Sequence, residues 1–345
     1  MPLSEPGWWY RDGLAWQAAL LAPLGWLYGR AAQARYQRAL PYRSRYPVIC
    51  IGNFTAGGTG KTPMALGVAS ILRDLGRTPV FLSRGYGGTL NGPIFIDATR
   101  HTAASVGDEP LLLAQSAPAV VARDRAAGAQ FIERAAVSGT VIVMDDGLQN
   151  PSLVKDLTIA VIDGQRGLGN LGVIPAGPLR APLAFQTALA NALVINGGNE
   201  TQHFPGLAAL RQTYSGPLLA AQTQVAANAR PLKDKKVVGY AGIANPGRFF
   251  RALETQGAIV CDRMAFRDHH VFSPTDCERL LTSAAAHGAS LITTQKDFAR
   301  LQGRPEPPLQ RLRSASQTLD IELVLAGKDP GILRELIAAA LAPKK

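Results

Sequence analysis

The sequence predicts an α/β protein with a doubly wound, mainly parallel core, a second and smaller α/β lobe, and an N-terminal membrane-associating helix. Three observations predict it. Pro47–Gly52 (PVICIG) and Thr140–Asp146 (TVIVMDD) are short, nearly unbroken apolar runs, the pattern of parallel strands buried on both faces. The first run leads through a glycine-rich loop into Lys61–Gly76, which has helical periodicity and a terminal glycine. The N-terminal run Leu14–Leu27 is apolar, yet it is broken by Gln17, Pro23 and Gly25 and is shorter than the ~20 residues a spanning helix needs.

With 345 residues the chain is long enough for two domains, each with a buried core. Hydrophobic content of 47% with 18% charged residues excludes a disordered chain, and nothing reads as low-complexity or repeated. The net charge of +11 favours anionic partners such as nucleotides or phospholipid headgroups without choosing among them. Cys50, Cys261 and Cys277 are far apart and form neither a disulfide framework nor a zinc spacing, so packed or surface thiols in a reducing compartment are expected.

Trp8, Trp9, Tyr10, Trp16 and Trp26 border or punctuate the N-terminal run, and six arginines face two acids through residue 46, a layout suited to the headgroup boundary. Residues 1–46 therefore read as an interfacial segment making peripheral contact with anionic phospholipid. A helix simply packed on the domain is the plain alternative. A secretory signal is the other rival, but Glu5 precedes the first basic residue, Arg11.

The glycine-rich loop reads TAGGTGKT over Thr55, Ala56, Gly57, Gly58, Thr59, Gly60, Lys61 and Thr62. Backbone N–H groups can curl around phosphates there, with Lys61 reaching the β/γ oxygens and Thr62 a magnesium ion. This is the P-loop arrangement, although Thr55 stands where its first glycine is expected. Asp145 and Asp146 close the second strand where a magnesium-holding acid belongs in P-loop enzymes; capping of the DDGLQN turn is the alternative. No guanine-reading NKxD motif fits, since Thr294–Asp297 reads TQKD, and Ala56 lacks the second lysine of partition-type switch ATPases.

Further motifs follow in order: SRGYGG (83–88), VGDEP (106–110), DDGLQN (145–150), IPAGPLR (174–180), AGIANPGRFF (241–250), DHH (268–270) and TTQKD (293–297). Together with IGNFTAGGTGKTP (51–63) they resemble the tetraacyldisaccharide 4'-kinases. The chain departs from that family's pattern at Ala181 and Gln295, where acidic residues are usual, so no acidic role is expected at either. The resemblance implies transfer of the γ-phosphate of ATP, with Mg2+, to the 4'-hydroxyl of an acylated glucosamine disaccharide 1-phosphate at the cytoplasmic face of the bacterial inner membrane. It involves no nucleic acid and no obligatory protein partner. It assigns Asp108 as the base, where spacing alone favours a helix N-cap, and pairs it with His269. Arg84, Arg123 and Arg180 are planar donors able to grip phosphate oxygens, with a solvated surface charge as the plain alternative for each, and with Gln149 they are the candidate substrate or phosphate contacts. The resulting division is a P-loop kinase core over 47–215 and a C-terminal α/β lobe over 216–345 that completes the active-site cleft. A membrane-associated P-loop ATPase acting as a nucleotide-dependent switch is the rival function, and a kinase for a soluble small molecule a third.

Overall fold

The structure, a computed structural model, describes residues 5–11, 15–135, 138–197, 204–227 and 229–342. Asp12 and Leu14 of the expected interfacial segment lie outside them, as do residues 1–4 and 343–345. Two units make up the chain: residues 1–84, 124–223 and 323–345 form the first, and 85–123 with 224–322 the second. The units are thus discontinuous in sequence, unlike the expected division into contiguous stretches, 47–215 and 216–345. The physical reasons are local. Val106, Leu111 and Val121 share one apolar cluster with Ala299, which draws 85–123 into the second unit. Ile321–Leu325 is the strand beside Leu218–Val225, and Ala326 N–H donates to the Ala220 carbonyl, which returns the C-terminus to the first.

In the first unit the strands run in the order Ile321–Leu325, Leu218–Val225, Ala192–Asn196, Leu157–Asp163, Val48–Gly52, Thr140–Asp145 and Thr78–Ser83. From Leu218–Val225 to Thr78–Ser83 every pairing is parallel, with Ile51 opposite Asp145 and Gly52 opposite Ala160. Val48 to Ile51 are at most 1% exposed, so this central strand has no solvent face and its continuous apolar run follows. Ligand sites in such sheets gather at the carboxyl ends of the strands, and Gly52 and Asp145 both end there. The helix after the glycine loop spans Lys61–Asp74, and Gly76 turns away from it at φ 69°.

The N-terminal helix spans Trp16–Arg38, longer than the apolar run. Its extension, AAQARYQR, is made of strong helix formers, which carries the helix past Leu27. Ala18, Gly25 and Gly29 are its buried residues, and a side chain at Gly25 would meet the Val173 carbonyl oxygen at 2.5 Å. Trp16, Leu20, Leu24, Trp26 and Leu27 are exposed. No helix among the described residues is long and apolar enough to cross a membrane.

The second unit is a four-stranded parallel sheet in the order Ile259–Ala265, Lys236–Ala241, Ser290–Thr294 and Ser316–Leu319, with the short antiparallel pair Ile94–Phe95 and Ala119–Val121. One apolar cluster packs Tyr240, Leu280 and Leu291 and another Val237, Phe250 and Leu253. Ser273 caps Pro274–His287 in a full capping box with Asp276, as the SPTD string predicts. Cys50 and Cys277 are buried free thiols, pushed up to about 11 chiefly by burial, and Cys261 is partly buried.

Candidate active site

In the first unit the loop from Thr55 to Gly60 is tied down at both ends. Asn53 Nδ2 donates to the Thr55 carbonyl at 2.8 Å, and Ala56 N–H donates to the Pro178 carbonyl at 2.8 Å. Arg180 N–H reaches the Phe54 carbonyl at 2.9 Å, so the IPAGPLR segment runs alongside the loop. Asn196, at the end of its strand, donates from Nδ2 to the Thr59 carbonyl at 3.0 Å. Gly60 has φ 98°, a conformation that favours glycine, and a Cβ there would stand 2.4 Å from Asn196 Nδ2. Glu5, bonded by Tyr10 and Arg166, lies against Gly57.

Lys61 and Thr62 open the helix, both buried, so the amino end of a 14-residue helix and the lysine meet at the loop. Asp145 is 1% exposed at its strand end, while Asp146 leaves the strand at φ 50°. Arg180 Nη1 spans both Asp146 oxygens at 2.9 and 3.0 Å, its Nε donates to the Thr55 carbonyl, and Lys61 Nζ lies 3.7 Å from Asp146 Oδ1. Burial opposes the Asp146 charge, but Lys61 and Arg180 outweigh it and bring the carboxyl down to about 2. Gln149 Nε2 donates to the Asn53 carbonyl at 2.8 Å and to Gln186 Oε1 at 2.6 Å. Arg84 is exposed at the end of its strand.

In the second unit Asp108 is the first residue of the helix Asp108–Ala114, and the cap position belongs to Gly107 at φ 91°. The N-cap reading of Asp108 therefore does not hold. Its Oδ2 lies 3.2 Å from His269 Nδ1. Burial works against ionisation of Asp108, yet the bond to His269 and the charges of Arg300 and Lys296 hold it well below the usual carboxylate range. The same bond raises His269 above its ordinary 6.5, against burial. His269 takes φ 57°, and its loop is anchored by His270, which bonds Asp276 at 3.0 Å and stacks on Phe266. Lys296 Nζ pairs with Glu109 Oε1 at 2.5 Å, and Asp297 accepts from Gly242 N–H and Thr294 Oγ1. Arg123 is exposed, with Nη2 3.5 Å from the Gly88 carbonyl.

The structure thus joins Lys61, Asp146 and Arg180 in one cluster and Asp108 and His269 in another. Sequence reasoning missed Asn53, Asn196 and Arg300. The first two carry a faint signal, a polar residue closing an apolar strand run. Arg300 carries none, since its partner Asp108 is 192 residues away in sequence.

A strand, a phosphate-cradling loop and a helix led by Lys61 and Thr62, with two strand-end aspartates, define the class of P-loop nucleotide-handling enzymes. Within that class the chain belongs to the tetraacyldisaccharide-1-P 4'-kinase family, whose pattern matches residues 17–342. It is accordingly a kinase, a transferase with a hydroxyl acceptor. It is 47% identical over 339 residues to a tetraacyldisaccharide 4'-kinase of Methylorubrum extorquens, covering 98% of this chain and 99% of that one. A tetraacyldisaccharide 4'-kinase of Nitrobacter winogradskyi is 47% identical over 301 residues, 87% of this chain and 88% of that one. The fold matches that of LpxK from Aquifex aeolicus, solved in complex with ATP, at a TM-score of 0.70 and 24% identity, over 94% of this chain and 99% of that one.

Proposed function

We propose that this protein transfers the γ-phosphate of ATP to the 4'-hydroxyl of a tetraacyl glucosamine disaccharide 1-phosphate, giving ADP and the bisphosphorylated lipid A precursor. The observation that carries the reading is the 47% identity to a kinase of that name along 339 residues. The loop Thr55–Thr62 receives the phosphates on backbone N–H groups, and Lys61 draws the β/γ oxygens. Asp108, paired with His269, accepts the proton of the attacking hydroxyl. That oxygen forms its bond to the γ-phosphorus as the bond to the β-phosphate oxygen breaks, and the electron pair departs with ADP. Thr62, Asp145 and Asp146 offer only hard oxygen donors at the loop, a set that suits Mg2+ and would hold it; when bound, the ion neutralises charge on the phosphate oxygens. Arg180 donates to the Thr55 carbonyl of the loop and pairs with Asp146, which suits it to a phosphate contact. Arg84, Arg123 and Gln149 remain candidates for the acceptor's 1-phosphate or the nucleotide.

The acceptor is a lipid, and the exposed row Trp16, Leu20, Leu24 and Leu27 is the surface through which the protein rests on the cytoplasmic face of the inner membrane. Incubation with magnesium and γ-labelled ATP in mixed micelles tests the reading. Label in the organic-phase lipid is expected. Label released only as free phosphate would instead favour a nucleotide-driven switch.

A further inference from the structure

Arg300 belongs to no motif that pointed to the site, yet it grips the proton-accepting carboxylate. It ends the short helix Gln295–Arg300 and is 8% exposed. Its Nε and Nη2 both donate to Asp108 Oδ2, at 2.9 and 2.6 Å, and His269 Nδ1 meets the same oxygen. The other oxygen, Oδ1, accepts from the Glu109 N–H at 3.0 Å. Arg300 Nη1 donates at 2.6 Å to both the Gly242 carbonyl and Asp297 Oδ1. Asp297 is itself fully buried and fixed by Thr294 and Gly242. A guanidinium is a rigid plane, so anchoring Nη1 sets the direction of the Nε–Nη2 edge and with it the carboxylate.

We infer that Arg300 is a positioning residue for the phosphoryl transfer: it engages Asp108 through Oδ2 and leaves Oδ1 as the oxygen that takes the hydroxyl proton. The inference rests on the reading of Asp108 as proton acceptor. Lysine could not substitute fully, because an ammonium has no planar fork to span Asp108, Gly242 and Asp297 together. The charges around Asp108 also fix a sign. Arg300, Lys296 and His269 favour its ionised form, while burial and the Asp297 carboxylate oppose it; Glu109 and Asp268 face it as partners of Lys296 and His269. Removing Arg300 subtracts from the favourable side, so Asp108 then protonates at higher pH.

The test is the pH profile of kcat/KM for the lipid in the full-length protein, with ATP affinity read by fluorescent-nucleotide titration and folding by thermal melts. Arg300→Met is expected to lower kcat on the order of 10²-fold, the scale of a misplaced reacting group. It should move the acidic limb to higher pH and leave ATP affinity unchanged. Arg300→Lys keeps the charge, so the limb stays in place while kcat falls about tenfold through the lost fork. A folded Arg300→Met with wild-type kcat and acidic limb would overturn the inference. So would weakened ATP affinity with kcat intact. If Arg300→Met does not fold, a wild-type kcat in Arg300→Lys overturns it. Wild-type kcat in Asp108→Ala overturns instead the reading of Asp108 itself, and the role of Arg300 with it.

Discussion

Asp146 stands at φ 50° between two cations, Lys61 at 3.7 Å and Arg180 at 2.9 Å, so removing any one of the three leaves the others unbalanced. Under the proposed function such a cluster acts as one unit. Lys61→Ala and Asp146→Ala should each lower kcat by roughly 10²- to 10³-fold, the range for losing one preorganised charge-stabilising group. The double variant should fall near the worse single one, because losses within a catalytic unit are not additive. Steady-state kinetics on the four proteins checks it, and additive losses would separate the two residues. The second cluster makes a prediction about pH. The folded pKa of His269 is raised above 6.5, mainly by the bond to Asp108, so its contribution to stability is full below the unfolded value. It is lost as pH rises through the raised value. Asparagine tolerates the positive φ of this position without titrating, which makes His269→Asn the matched control. The gap in melting temperature between wild type and this variant should be widest below pH 6.5 and close as the pH is raised. A gap independent of pH would mean that the pairing with Asp108 contributes nothing.

The N-terminal helix reaches the phosphate loop through one intermediate. Gly25 packs on Val173, and the segment that begins there pairs with the loop through Pro178 to Ala56 and Phe54 to Arg180. A leucine at Gly25 would overlap the Val173 carbonyl and lift the helix or the segment, with an overpacking cost of about 1–3 kcal/mol. Urea unfolding should register that loss, and the KM for ATP should rise because the loop's outer support shifts. Stability unchanged from wild type would show that the helix is not seated there. Elements of this kind were partly legible in the sequence. The Val48–Gly52 strand, the Lys61–Asp74 helix and the Ser273 cap follow from apolar runs and cap residues that act over a few positions. What escaped was set by contacts distant along the chain. Nothing near Asp108 announces Arg300, and the N-cap reading failed because Gly107 takes the cap position and the Asp108 carboxylate turns to Arg300 and His269. The discontinuous units escaped for the same reason, since the burial of Val106, Leu111 and Val121 with Ala299 has no local signature.

For the molecule as a whole, the proposed membrane contact draws on two features suited to an anionic lipid surface, the net charge of +11 and the exposed apolar row of the N-terminal helix. The two contributions can be separated. Charge attraction is screened by salt over about 8–10 Å at ordinary ionic strength, whereas insertion of Trp16, Leu20, Leu24 and Leu27 is not. Deleting the helix is a poor test, because Ala18, Gly25 and Gly29 are seated on the protein and their loss would disturb the segment that supports the phosphate loop. Serine at Leu20, Leu24 and Leu27 leaves the seated face intact and removes only exposed apolar surface. Each leucine fully buried in an apolar phase is worth about 1.5–3 kcal/mol, so the triple variant should lose most of its salt-resistant binding to vesicles containing anionic phospholipid. Melting temperature and ATP affinity should stay at wild-type values, while the apparent KM for the lipid rises. Sedimentation with vesicles at low and high salt, alongside lipid kinetics, decides the matter. If the triple variant still sediments in high salt and handles the lipid as wild type does, the leucine row is an ordinary exposed helix face and the lipid meets the protein through another surface.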